Sequence, residues 1–153
     1  ASKVFVLSWI GFLQSAFLTL TVGLVCDLPG DLPAYVGISL LLSLLGTSMG
    51  LAISANSKSE ELSVALVPAA IIPQIILAGV VANLSGVSDL LANAVTTSYW
   101  GQQLFENFIP KSDQCLDDSR PSVFLCFAVL ISHLAVFQAG TWFGCRFMRF
   151  SPE

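Results

Sequence analysis

Four long stretches of this chain contain no charged residue, and they restrict its fold more than any other feature. They cover residues 4–25, 34–55, 62–82 and 121–145, so each is 21–25 residues long. A helix of about 20 apolar residues is long enough to cross the hydrocarbon core of a bilayer. The pattern therefore predicts an all-α, polytopic helical membrane protein with about four transmembrane helices.

The alternative is a soluble protein whose core buries all four stretches. Only 10% of the residues are charged, whereas a soluble domain carries about 25%. So few charges would not cover a globule of 153 residues in water. The sequence also has no basic patch for phosphates, so the expected partner is the lipid bilayer and not nucleic acid.

The segments between the spans define a single transmembrane domain over residues 1–153. The first loop, 26–33, contains two prolines and a glycine, which end one helix and start the next. Residues 56–61 form a short polar turn, and a long segment, 83–120, separates the third and fourth spans.

Basic residues predict the orientation of the spans, because they concentrate in short loops on the cytoplasmic side. When four spans alternate, one side carries four basic residues and the other carries two: Lys3, Lys58, Arg146 and Arg149 against Lys111 and Arg120. We therefore expect both termini and the turn 56–61 in the cytoplasm, residues 83–120 outside, and a plasma or inner membrane as the location.

The outer segment has a helical pattern of its own between residues 87 and 109. Apolar residues recur there at helical spacing, and Tyr99 and Trp100 are of the types that favour the membrane–water boundary. Two interpretations remain open at this point. The segment is either an interfacial helix packed on the bundle or a re-entrant helical pair that dips into the outer leaflet.

The third span contains two prolines five residues apart, Pro68 and Pro73. Each removes a backbone donor, so the helix should bend, and the freed carbonyl groups should face protein or a cavity. Gln74 follows near the middle of the span and should be hydrogen-bonded or face water. A static bend and a moving bend fit this sequence equally well.

Two pairs of glycines fit the small-xxx-small pattern, which lets helices approach closely: Gly46 with Gly50, and Gly140 with Gly144. Packing within one chain is the expected role, in preference to dimerisation.

Signals for catalysis are absent from the sequence. His133 is the single histidine and lies in the middle of a span, where a neutral ring bonded to a hydroxyl or to the backbone is favoured over a proton relay. The motifs GxSxG, HExxH and GxxxxGK[ST] do not occur, and no CxxC spacing indicates a metal. Cys26 and Cys115 share the predicted outer side, paired or free.

Residues 46–81 read GTSMGLAISANSKSEELSVALVPAAIIPQIILAGVV, and this stretch resembles the permease domain of type-two ABC exporters, including the ABCG and ABCA groups. In that family a span ending in Gly-Leu-x-Ile-Ser-Ala leads into a short polar cytoplasmic turn. A span with Pro, Ile-Pro and a later Gly follows, matched by Pro68, Ile72-Pro73 and Gly79. Residues 98–106 occupy the place of the family's outer helix, although Tyr99 and Trp100 depart from its pattern.

The resemblance implies a function and partners. The four spans would be the third to sixth of six, with two spans and a nucleotide-binding domain upstream. ATP and magnesium would bind that domain, and a second permease half, identical or different, would complete the transporter. The third span would line the substrate path at Pro68, Ile72, Pro73 and Gln74. The turn with Lys58, Glu60 and Glu61 would contact the nucleotide-binding domain.

The leading hypothesis is therefore the permease portion of an ATP-driven exporter that moves a lipid-like or amphipathic substrate outward. The alternative from another class is a non-transporting tetraspan scaffold or assembly subunit of a membrane complex. A channel or secondary transporter is disfavoured because no charged residue lies within the spans.

Overall fold

A computed structural model describes residues 2–28, 30–78, 96–109 and 121–147. In these residues the chain forms five helices and no strand: α1 (Ser2–Val25), α2 (Leu32–Asn56), α3 (Glu60–Ile76), α4 (Thr97–Glu106) and α5 (Val123–Phe147). The all-α prediction is confirmed.

Three of the described helices are long and apolar enough to cross a membrane. These stretches are Phe5–Val25, Leu32–Asn56 and Val123–Arg146, close to three of the four predicted spans. The helix α3 is shorter, with 17 residues, and the end of the predicted third span, 79–82, lies outside the described residues. A complete crossing by the third span therefore stays a prediction.

Local residue chemistry explains where α2 and α3 begin. Pro33 occupies the first turn of α2, where its missing N–H would have no helical partner in any case. Ser59 caps α3, because its hydroxyl accepts a hydrogen bond from the Leu62 N–H at 3.2 Å. Glu60 and Glu61 lie in the first turn of α3, where their negative charges interact favourably with the helix dipole.

The helix α2 is the centre of the bundle and contacts each of the other four helices. The core forms where α2, α4 and α5 meet, from residues that are almost fully buried: Ile38, Leu45, Trp100, Leu104, Cys126 and Leu130. By contrast α1 and α3 expose large apolar side chains such as Phe17, Leu24 and Val64. These faces fit contact with lipid or with other protein.

The helix α4 runs antiparallel to α2 and lies alongside it. Its last turn is near the start of α2, where the Phe105 ring lies 5.7 Å from the ring of Tyr35. Its centre meets Leu42 at Gly101, and its first turn reaches Gln74, which in turn contacts Met49. The described part of the outer segment therefore packs along α2 from its start to its middle. Residues 87–95 lie outside the described residues, so the interfacial helix and the re-entrant pair both stay predictions.

A close contact joins α5 to the second half of α2. A Cβ atom at Gly144 would lie 2.6 Å from the Ala55 carbonyl oxygen, so only glycine fits there without a shift. Asn56 donates a hydrogen bond to the Gly140 carbonyl at 3.1 Å, and Gln138 donates one to the Ser48 hydroxyl at 3.2 Å. These polar contacts fix the register of the two helices.

Candidate functional site

A cavity of about 520 Å³ lies among α2, α3 and α4, next to Phe137 of α5. We call it the α2–α3–α4 cavity. It lies beside the middle of α2, the level that the bilayer interior would occupy if α2 spans the membrane. Its size falls within the range of ordinary small-molecule sites.

Two helices supply mainly apolar walls to this cavity. Their lining residues are Leu42, Leu45, Gly46 and Met49 from α2, and Ile71, Ile75 and Ala78 from α3 and the turn after it. The α3 residues are spaced by three and four positions, so they lie on one face of the helix. Gln74 lies on the same face and is its single polar member.

The third wall, from α4, is polar. Four side chains line the cavity at the spacing of one helix face, and we call them the polar strip: Thr97, Ser98, Gln102 and Glu106. Phe105 completes this wall near the start of α2. The cavity is therefore amphipathic, with a polar strip facing apolar surfaces.

Gln74 connects three helices through its side-chain amide. Its carbonyl oxygen accepts hydrogen bonds from the Ser98 hydroxyl at 3.1 Å and from the Ser98 N–H at 3.3 Å. Its amide nitrogen donates to the Met49 sulfur at 3.4 Å. Since these partners belong to α2 and α4, Gln74 holds the first turn of α4 in place between α2 and α3.

Two oxygen atoms of the polar strip have no hydrogen-bond partner among the described residues. They are Thr97 Oγ1 and Gln102 Oε1, and both atoms are buried. The Thr97 residue as a whole is only 7% exposed. Gln102 uses its amide nitrogen to donate to Glu106 Oε1 at 3.0 Å, which leaves its oxygen unpaired. Buried polar atoms are nearly always paired in folded proteins, so these two are unusual.

The predicted substrate-path residues separate into two groups. Gln74 lines the α2–α3–α4 cavity, whereas Pro68, Ile72 and Pro73 are not part of its lining. All three are exposed on α3, and Ile72 is 55% exposed. Their proposed contact with substrate therefore needs a surface outside this cavity, and it stays a prediction.

The four predicted packing glycines fall into two groups: two lie close to another helix and two do not. Gly144 contacts the backbone of α2, and a Cβ at Gly140 would lie 3.8 Å from Ala52 Cβ. Gly46 and Gly50 have open space beside them, since a Cβ atom at either position would meet no atom of the described residues within 4 Å. Gly46 instead lines the cavity, and packing at Gly46 and Gly50 stays a prediction.

The predicted coupling turn is short and exposed. Lys58, Glu60 and Glu61 are all exposed to solvent. Ser57 donates a hydrogen bond to the Ile53 carbonyl at 2.7 Å, and Ser59 caps α3, so the turn is fixed at both ends.

A second cavity, of about 530 Å³, lies among α1, α2 and α4. Its polar groups are already paired. Thr19 donates to the Ser39 hydroxyl at 2.7 Å, and the Tyr35 hydroxyl donates to the Phe108 carbonyl at 3.4 Å. This α1–α2–α4 cavity therefore offers a ligand fewer unpaired hydrogen-bonding groups than the α2–α3–α4 cavity does.

Sequence reasoning missed the polar strip of α4. The sequence places Thr97, Ser98, Gln102 and Glu106 only in an outer helical segment. Their signal is present, because polar residues recur at helical spacing within a mainly apolar region. This spacing identifies the four residues as one wall of a cavity only when α4 is placed beside α2.

His133 has a backbone partner. Its Nδ1 lies 2.9 Å from the Val129 carbonyl oxygen, which can only accept, so this nitrogen donates. No cluster of three or more metal-ligating side chains occurs in the described residues.

Helices that are long and apolar enough to cross a membrane, packed around an amphipathic cavity, are the arrangement expected of a membrane transport domain. The family model of the ABC-2 type transporter matches residues 1–108, more than half of the chain, and the chain belongs to that family. The match covers α1 to α4 and every cavity-lining residue except Phe137. No match was found among curated proteins or among solved structures.

Membership confirms the resemblance seen at residues 46–81. The chain is an ABC transporter permease domain, a membrane component without catalytic activity of its own. The family implies association with a nucleotide-binding partner.

Proposed function

We propose that this chain is the permease portion of an ATP-driven exporter that moves a lipid-like or amphipathic molecule outward. The observation that carries the proposal is the α2–α3–α4 cavity, with apolar walls on two sides and a polar strip on the third. An amphipathic cargo fits such a cavity, since its chain lies on α2 and α3 while its polar group faces α4. An inorganic ion would find mostly apolar surface.

The partners follow from the family and the exposed faces of the helices. ATP and magnesium bind a separate nucleotide-binding domain, upstream in the same protein or on another chain. A second permease half covers the face of α3 that carries Ile72 and Pro73, which this chain leaves exposed. In this arrangement Ile72 and Pro73, two of the four predicted path residues, lie between the two halves. The outward direction rests on the resemblance to exporters.

Force reaches α3 through its first turn. The carboxylates of Glu60 and Glu61 and the ammonium of Lys58 are exposed next to the capped end of the helix. A nucleotide-binding domain that moves this turn would move α3, and Gln74 would carry the motion to Ser98 on α4. The cavity would then change shape, because α3 and α4 form two of its walls. Both chain termini lie on the cytoplasmic side in this arrangement.

ATP hydrolysis by the full-length protein in liposomes tests the proposal. Long-chain amphiphiles should stimulate hydrolysis, and Gln74→Leu should reduce the stimulation because it removes the link between α3 and α4. The matched control is Gln14→Leu, since Gln14 is exposed on α1 and lines neither cavity. Hydrolysis that no amphiphile changes would contradict the exporter and favour the scaffold alternative.

A further inference from the structure

The unpaired oxygens of α4 indicate which chemical group the α2–α3–α4 cavity accepts. Gln102 Oε1 is an amide oxygen and can only accept hydrogen bonds, while Thr97 Oγ1 can accept or donate. An acceptor without a donor is costly in an environment of low dielectric, so a ligand that brings N–H groups gains the full value of each bond. The polar strip therefore favours a hydrogen-bond donor.

The charge of the lining distinguishes between kinds of donor. Glu106 brings a carboxylate into the cavity wall, and Gln102 is bonded to it at 3.0 Å. This bond holds the unpaired amide oxygen next to the carboxylate on successive turns of α4. The lining residues that the structure describes include no lysine, arginine or histidine. An anionic head group would be repelled there, whereas a cationic one is attracted.

The cavity also has room for an apolar chain beside this strip. Met49, Ile71 and Ile75 line the cavity from α2 and α3 and provide apolar surface. Burial of a chain on this surface contributes about 0.8 kcal/mol for each methylene group in general. The walls thus match a long alkyl chain, and the strip matches a head group with several N–H donors.

We propose that the α2–α3–α4 cavity binds a cationic amphiphile with a primary ammonium head, which donates hydrogen bonds to Gln102 and Thr97. Both oxygens are buried, so in this proposal a change of side-chain rotamer turns them toward the ligand. Glu106 provides the neighbouring negative charge. The inference rests on the proposed function and names the class of its cargo.

Photo-crosslinking of the full-length protein in phosphatidylcholine nanodiscs tests this site, since these lipids have no N–H groups. The probe is dodecylamine with a diazirine in its alkyl chain. Mass spectrometry should find the label on peptides of α2 and α3 that contain Met49, Ile71 or Ile75. A label confined to the exposed face of α1, such as Phe17 or Leu24, would overturn the proposal.

Competition separates hydrogen bonding from charge. Dodecyltrimethylammonium has the same charge and chain as dodecylamine but no N–H group. We expect it to compete with the probe about tenfold more weakly, the size of one lost charge-assisted hydrogen bond. Dodecanoate should compete least, because of Glu106. Equal competition by the two cations would overturn the assignment of a donor head group.

Two variants remove the proposed acceptors. Thr97→Val keeps the shape of the side chain, and Gln102→Met keeps most of its length; each should weaken labelling about tenfold in the same assay. The matched control is Gln103→Met, on the same helix but outside the cavity lining. Because Thr97 Oγ1 has no partner among the described residues, Thr97→Val should not lower the melting temperature. Unchanged labelling in Thr97→Val and Gln102→Met would contradict the proposal.

The experiments can contradict the proposed binding site and the proposed exporter function independently of each other. If dodecylamine labels the cavity but never stimulates ATP hydrolysis, the binding site stands and the exporter function fails. If other amphiphiles stimulate hydrolysis while dodecylamine does not label the cavity, the exporter stands and the inference about its cargo fails.

Discussion

At the scale of single residues, Gly144 sets how closely α5 approaches α2. The nearest atoms to its missing side chain are backbone atoms of Ala55, which cannot move aside as a flexible side chain can. The neighbouring hydrogen bond from Asn56 to Gly140 depends on the same short separation. Gly144 is therefore a packing position with a specific neighbour.

Replacing Gly144 with alanine should destabilise the protein by about 1–3 kcal/mol, because overpacking forces the two helices apart. The melting temperature of the detergent-solubilised protein measures this. Gly37→Ala is the control, since Gly37 has open space beside it among the described residues and alanine is the better helix former. If both variants melt at the wild-type temperature, α5 does not approach α2 closely at Gly144.

Gln74 shows what can be predicted about a residue from sequence. A polar group in a long apolar stretch needs a hydrogen-bond partner, and this can be expected from the sequence alone. The partners themselves could not be predicted, because Ser98 is 24 residues further along the chain and is brought close only by the placement of α4. Thr97 and Gln102 were missed for the same reason.

At the scale of elements, α3 combines two features that both lower its stability. It has no buried residue in the described chain, and it contains two internal prolines. Pro68 and Pro73 cannot donate to the carbonyl groups of Val64 and Ala69, four residues earlier in each case. Both features reduce the stability of α3, and a moving bend stays a prediction.

Substituting both prolines with alanine should stabilise α3, since an interior proline costs about 3 kcal/mol relative to alanine. The same double variant should lower amphiphile-stimulated ATP hydrolysis, because a straight α3 no longer bends with the cavity. Melting temperature and hydrolysis rate are measured on one preparation. Higher stability with full stimulation would show that the bend is static and has no part in transport.

The helices differ in how well the sequence predicted them. The uncharged stretches predicted α1, α2 and α5 to within a few residues at each end, because lipid imposes length and polarity directly. The sequence leaves the position of α4 open between two alternatives, since amphipathic spacing indicates a helix but not its depth. Contacts of Gly101 with Leu42 and of Phe105 with Tyr35 place α4 against α2, and the depth of α4 in the bilayer stays a prediction.

At the scale of the whole molecule, the chain is an ABC permease domain organised around α2. The buried core lies on one side of α2, where α4 and α5 pack. The amphipathic cavity lies beside α3, the least buried helix of the described chain. The buried core and the cavity thus share the central helix α2, and we predict that α3 moves against this core during transport.

Transport itself tests the central claim most directly. Inside-out vesicles that contain the full-length protein are supplied with a fluorescent long-chain amine, and its accumulation inside the vesicles is measured. We predict accumulation with ATP, none with a non-hydrolysable analogue, and a reduced rate for Gln74→Leu but not for Gln14→Leu. Equal accumulation with and without ATP hydrolysis, or movement in the opposite direction, would contradict the assignment of an ATP-driven exporter.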